Sequence, residues 1–154
     1  MTKADIVETI YERVGFSKKE SAELVENLLA REVERGVPAS RVVLAGFSQG
    51  GALALYVGAR YPETLLGILV LSGYQILAST RDAEVSTANA ATPMLFCHGS
   101  HDPLVPLGAG RQAYEAYAPG RPAEWRTFPI AHQVSLEEIG VVRDWLGAAF
   151  RGLT

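Results

Sequence analysis

The chain has 154 residues, a formal net charge of −3 and 20% charged residues, and 48% of it is hydrophobic. That length fits one domain with a real core, and the composition is ordinary for a globular protein. The acidic balance excludes a general attraction to nucleic acid or anionic membranes, and no apolar run reaches the ~18 residues a membrane span needs. The chain also opens without the charged-then-apolar pattern of an export leader.

Residues 1–35 read as a helical hairpin. Thr2 and Asp5 have capping-box spacing, and Ile6, Val7, Ile10, Tyr11 and Val14 form one apolar stripe. Gly15 is a stop signal, and Ser17 with Glu20 repeats the cap. Leu24, Val25, Leu28, Leu29 and Val33 continue a second stripe as far as Gly36. Acids outnumber bases across this segment, so it cannot supply the phosphate neutralisation that DNA binding requires.

Residues 41–46 are apolar and β-branched, and they end in Gly46-Phe47-Ser48-Gln49-Gly50. A small-residue helix follows. This strand–turn–helix context is that of a nucleophile elbow, with glycines at 46 and 50 letting the backbone close around Ser48. The helix N-terminus would favour negative charge developing there. The same five residues also fit a glycine-rich turn carrying an incidental serine.

Tyr61-Pro62 ends that helix, because proline disfavours helical geometry in the residue before it. Residues 66–72 are apolar on both faces, as in a covered parallel sheet. Residues 75–92 are small and polar and read as a loop with little regular structure. Residues 93–98 form a third strand, opening into a loop with Asp102 at its mouth. Gly108 to Tyr117 reads as a helix, and residues 124–129 as the fourth strand, followed by Ala131-His132. Val134 to Phe150 is the last helix, with Leu136, Ile139, Val142, Trp145, Leu146 and Ala149 expected on the sheet side.

Serine, acid and histidine, each just past a strand, follow the chain order of one type of catalytic triad. Ser48 is a weak nucleophile until His132 accepts its proton. Asp102 would orient the imidazole and stabilise its charged form. Cys97 lies inside an apolar strand and reads as an inert thiol; a single cysteine allows no internal disulfide and fits a reducing cytoplasm. His98 reads as a structural hydrogen bonder. His101 beside Asp102 raises the question of a metal, but three histidines and one cysteine lack ligand spacing, so no metal or cofactor is expected.

From about Leu28 to Thr154 the chain resembles the bacterial carboxylesterase and acyl-protein thioesterase group of α/β-hydrolases. The matching pieces are Gly36 to Arg41 leading into Gly46 to Gly51, then Leu71-Ser72-Gly73-Tyr74, His98-Gly99-x-x-Asp102 and Ala131-His132. The resemblance implies Ser48, Asp102 and His132 as the triad, Gln49 N–H as an oxyanion donor, and Tyr74, Ile76 and Leu77 as substrate contacts near an acyl pocket. It also implies a short ester or thioester substrate and no cofactor. Family members carry further N-terminal strands and a loop with a second oxyanion donor, to which nothing here corresponds, so weak activity is expected.

The first 26 residues instead resemble the opening helices of integration host factor and related histone-like proteins, through Met1 to Val7 and Val14 to Glu26. The resemblance stops before that family's DNA-gripping arms. Together the two resemblances imply a chimera joined within a helix around residues 26–29, natural or engineered. The expected architecture is a partial α/β-hydrolase: a four-stranded parallel sheet with flanking helices (36–154), preceded by the α-helical hairpin (1–35) and packed as one unit. Residues 41–46 would form an exposed sheet edge, which invites a homodimer or an exchange of N-terminal helices. The alternatives to an esterase are a catalytically silent chimera and, less in keeping with the charge, a DNA-bending protein.

Overall fold

The computed structural model describes residues 17–153. The first helix of the expected hairpin, with its Thr2–Asp5 cap, lies outside the described residues.

Helix α1 (Lys18–Glu34) begins at Ser17, whose Oγ accepts the Glu20 N–H at 3.1 Å while the Glu20 carboxylate accepts the Ser17 N–H. This is a complete capping box, and it satisfies two of the orphan donors of the first turn. Strand β1 (Val43–Phe47) leads through Ser48 into α2 (Gln49–Arg60). Strand β2 (Gly67–Leu71) is followed by the short α3 (Arg81–Glu84), then by β3 (Met94–Gly99) and α4 (Leu107–Tyr117). Strand β4 (Ala123–Phe128) and α5 (Leu136–Arg151) complete the order.

The four strands form one parallel sheet in the order β1-β2-β3-β4. Sequential parallel pairing requires a crossover between each pair of strands, and right-handed crossovers stack the intervening helices on one face. The register agrees: Leu44, Ile68, Val70, Met94 and Phe96 pack into one core with Ala22, Leu29, Leu55, Ala113 and Tyr117 from α1, α2 and α4. The alternate residues Leu69, Leu95 and Cys97 point the other way and meet Val141, Val142 and Trp145 of α5. A sheet covered on both faces explains why β2 and β3 are continuous apolar runs. Strand β1 is an edge of the described sheet, with Ala45 and Phe47 exposed.

Three local expectations need correction. On α1, Leu24 and Leu28 are about half exposed, and the inward face is Ala22, Val25, Leu29 and Val33. On α5, Leu136 is 88% exposed and Ile139 faces solvent, while Glu138, Val141, Val142 and Trp145 are turned inward. Both helices carry more apolar residues than one face holds, so hydrophobic spacing alone left their rotation open.

The stretch 75–92 is more ordered than its composition indicated. It contains α3 and two single 3₁₀ turns, Ala78–Thr80 and Thr87–Asn89. Its anchor is Asn89, fully buried. The Asn89 Nδ2 donates to the Tyr61 and Glu63 carbonyls, each at 2.9 Å, and Oδ1 accepts from Leu65 N–H and Thr92 Oγ1. One side chain thereby satisfies backbone groups that would otherwise be stranded at the start of β2.

Candidate active site

Ser48, Asp102 and His132 lie beyond the C-terminal ends of β1, β3 and β4, the edge of a parallel α/β sheet where ligands bind. Each is delivered by a different local device.

Ser48 adopts φ 56° and ψ −119°, a strained conformation for a residue with a side chain, and caps α2. The neighbouring chain holds it there: Ser48 N–H donates to the Leu71 carbonyl at 2.8 Å, and Ala52 N–H returns to the Ser48 carbonyl at 3.0 Å. The turn closes so tightly that a Cβ at position 46 would stand 2.1 Å from the Gly50 carbonyl carbon. At Gly50 itself a Cβ would meet nothing, whereas at Gly51 it would press the Gly46 carbonyl oxygen at 2.9 Å. The steric requirement therefore falls on 46 and 51, rather than on 46 and 50 as the motif implied.

Asp102 turns its side chain fully inward from a loop whose neighbours His101 and Pro103 are exposed. Its Oδ1 accepts the Leu104 and Val105 N–H groups, both at 2.9 Å, and its Oδ2 accepts from His132 Nδ1 at 2.6 Å. Burial pushes the carboxyl upward, but the His132 hydrogen bond and the two backbone donors outweigh it and hold it below the usual carboxylate range. Asp102 is consequently an anion that can only accept, which places the imidazole proton on Nδ1. The free Nε2 then faces Ser48 Oγ at 2.9 Å. The Phe47 ring packs on the imidazole with centroids 4.8 Å apart.

His98 braces the loop carrying Asp102. Its Nε2 lies 2.9 Å from the Val105 carbonyl, which fixes the proton on that nitrogen, and 3.8 Å from Asp102 Oδ2. Gly110 leaves it room, since a Cβ there would meet His98 Nδ1 at 2.3 Å. His101 is exposed and turned to Ser100. The Cys97 thiol is buried and pushed up to about 12, first by desolvation and then by the charge of Glu138. It stays a protonated thiol.

The remaining expected site residues stand nearby. Gln49 opens α2, and the first N–H groups of a helix have no carbonyl within it to bond. Tyr74, Ile76 and Leu77 follow β2. Tyr74 is half-buried, Ile76 belongs to the core at 6% exposure, and Leu77 is exposed with φ 49°. The chain is bound to the elbow just ahead of them, because a Cβ at Gly51 would lie 3.4 Å from Gly73 Cα. Sequence reasoning overlooked Phe47 as the imidazole's apolar wall, and Glu138 as a buried group. The motif position of Phe47, next to the serine, was the available signal for the first.

Comparison with known proteins gives a consistent picture. The family described as phospholipase/carboxylesterase matches residues 13–149. An acyl-protein thioesterase 1 from Gibberella zeae is 36% identical over 83% of this chain and 56% of its own length. A second, from Neurospora crassa, is 35% identical over 78% of this chain and 51% of its own. The chain thus spans about half the length of these relatives. Among solved structures, Arabidopsis thaliana SOBER1 superposes with a TM-score of 0.81 at 29% identity, covering 87% of this chain and 65% of that one. Zea mays acyl-protein thioesterase 2 gives 0.73 at 27% identity, covering 86% and 64%. The family match begins at residue 13, ahead of the junction expected at 26–29, and α1 runs unbroken through that point.

Proposed function

Because the chain belongs to the phospholipase/carboxylesterase family, we propose that it hydrolyses short acyl esters or thioesters through an acyl-enzyme on Ser48. The observation that carries this reading is the position of His132, hydrogen-bonded to Asp102 at 2.6 Å and to Ser48 Oγ at 2.9 Å. In the first step Ser48 Oγ attacks the acyl carbon while His132 Nε2 takes its proton. Asp102 stabilises the imidazolium so formed. The Gln49 N–H, at the positive end of α2, donates to the developing oxyanion. Collapse of the tetrahedral intermediate expels the alcohol or thiol, which leaves with the His132 proton. Water, deprotonated by the same nitrogen, then attacks the acyl-enzyme and restores Ser48.

The one oxyanion donor assigned among the described residues is the Gln49 N–H. A site working with one donor fewer turns over about 10²–10³-fold more slowly, so modest rates accompany this reading. Tyr74 and Leu77 are assigned to the acyl wall, with Ile76 supporting them from the core. No described helix is long and apolar enough to cross a membrane. The edge position of β1 supports pairing of two copies along that strand, for which light scattering is the readout.

The test is hydrolysis of p-nitrophenyl acetate and butyrate by wild type and Ser48→Ala. Turnover that disappears in the variant supports the reading, and equal rates in both overturn it. Asp102→Asn, which presents the wrong imidazole tautomer to Ser48, is expected to lower turnover about 10⁴-fold.

A further inference from the structure

Glu138 is fully buried, and among the described residues neither of its carboxyl oxygens has a hydrogen-bond partner. It is the third residue of α5, where an exposed glutamate would reach back to the cap residue and complete a capping box. Only half of that box exists. Ser135 Oγ accepts the Glu138 N–H at 3.1 Å, while the carboxyl turns into the protein.

Among the described residues no cation is paired with it. From β3 it is faced by Cys97, a buried thiol that stays protonated. From β4 the charged groups acting on that same thiol are Arg126 and Glu124, which are paired with each other at 3.1 Å. Of the other ionisable groups at this end of the sheet, His132 and Asp102 are bonded to one another, His98 is held by the Val105 carbonyl, and His101 and Glu137 are exposed. Asp102 shows what a buried anion requires here: two backbone donors and an imidazole. Glu138 has none of these, so the fold accepts it only as the uncharged acid.

Its place in the chain gives that acid leverage. His132 lies in the short segment between β4 and α5, closed at one end by β4 and at the other by the Ser135 cap and the first turn of α5. We propose that Glu138 is a positioning residue for the Ser48 reaction. As the uncharged acid it seats the first turn of α5 against β3 and so keeps His132 on Ser48, and its ionisation lifts that turn and withdraws the imidazole. The inference rests on the hydrolase reading above. It adds a shut-off, as pH rises through the folded-state value of Glu138, that needs no change in the protonation of Ser48, His132 or Asp102.

The direction of the pH dependence follows from burial, which raises the Glu138 carboxyl above the usual range. The folded state then holds a proton that the unfolded chain has already released. Stability is greatest below the ordinary carboxylate range and declines as pH rises through it, by up to about tenfold in the folding equilibrium per pH unit, until the folded-state value is passed.

The experiment follows urea unfolding and the low-field proton resonance of the His132 Nδ1–H···Asp102 bond across pH, in wild type, Glu138→Gln and Glu138→Met. Methionine covers the case in which a buried amide fails to fold. Wild type is expected to lose stability as pH rises above the ordinary carboxylate range and the His132 resonance as Glu138 ionises, and both losses are expected to vanish in whichever variant folds. Identical pH dependence in wild type and variant overturns the proposal, as does a resonance that survives while stability falls. Fluorophosphonate labelling of Ser48, run in parallel, separates the two readings. Absence of labelling at every pH would strike the hydrolase reading, while the unfolding and resonance data still decide the role of Glu138.

Discussion

On one face of the sheet, Ile68, Val70, Met94 and Phe96 lie beneath three helices; on the other, Leu69, Leu95, Cys97 and Phe128 lie beneath α5. The first face is dominated by apolar residues from Ala22 to Trp125, with the buried His98 at the end nearest the site. The second is thinner and includes an unpartnered carboxyl at Glu138. Yet the thin face leads directly into the segment that carries His132. The comparison teaches that stability and site geometry are supplied by different layers: the thick core fixes the strands, and the thin one sets where the last functional side chain falls. Domains commonly draw their working parts from the less stable end of the structure.

The most severe way to break this division is within the thick core. Phe96→Ala removes a ring that is 1% exposed and is expected to cost about 3–5 kcal/mol in urea unfolding. A loss below about 1 kcal/mol would mean that this face is not the main source of stability. Gly67→Ala probes the other face, since a Cβ there would stand 2.6 Å from Trp145 Cη2. It should destabilise by about 1–3 kcal/mol through overpacking and tilt α5, so reaction at Ser48 should fall more than unfolding alone explains. If activity and stability decline in proportion, α5 has no special hold on the site.

A gentler probe is acid. Asp102 is held below its unfolded value, so its contribution is fully present above the ordinary carboxylate range and is lost as pH falls through the folded value. The acid limb of unfolding should flatten in Asp102→Asn. An unchanged limb would show that the Asp102–His132 pair carries no linkage. The smallest effect is expected at Leu136, which is 88% exposed. Leu136→Ser should change stability by no more than about 0.5 kcal/mol. A large loss would restore Leu136 to the sheet side of α5.

Much of this arrangement was legible in the sequence. The four strands were expected at 41–46, 66–72, 93–98 and 124–129, and they occur at Val43–Phe47, Gly67–Leu71, Met94–Gly99 and Ala123–Phe128. Uninterrupted apolar runs bounded by turn residues leave little freedom in a parallel sheet. The order of Ser48, Asp102 and His132 past the ends of β1, β3 and β4 could likewise be read, because each needs only a strand end and not a side-chain angle. Rotation about a helix axis could not. In α5, Leu136 and Ile139 are as apolar as Val141 and Val142, and the choice between them was made by what β3 offered opposite. Asn89 was equally hidden, since its role depends on carbonyls at Tyr61 and Glu63, well before it in the chain.

The account depends most on Ser48 being a nucleophile made ready by His132, and intact-mass analysis after fluorophosphonate treatment tests that directly. One adduct is expected on the wild-type chain and none on Ser48→Ala, with labelling slowed in Asp102→Asn. A cooperatively folded wild type that takes no adduct, or a Ser48→Ala protein that still does, would contradict it.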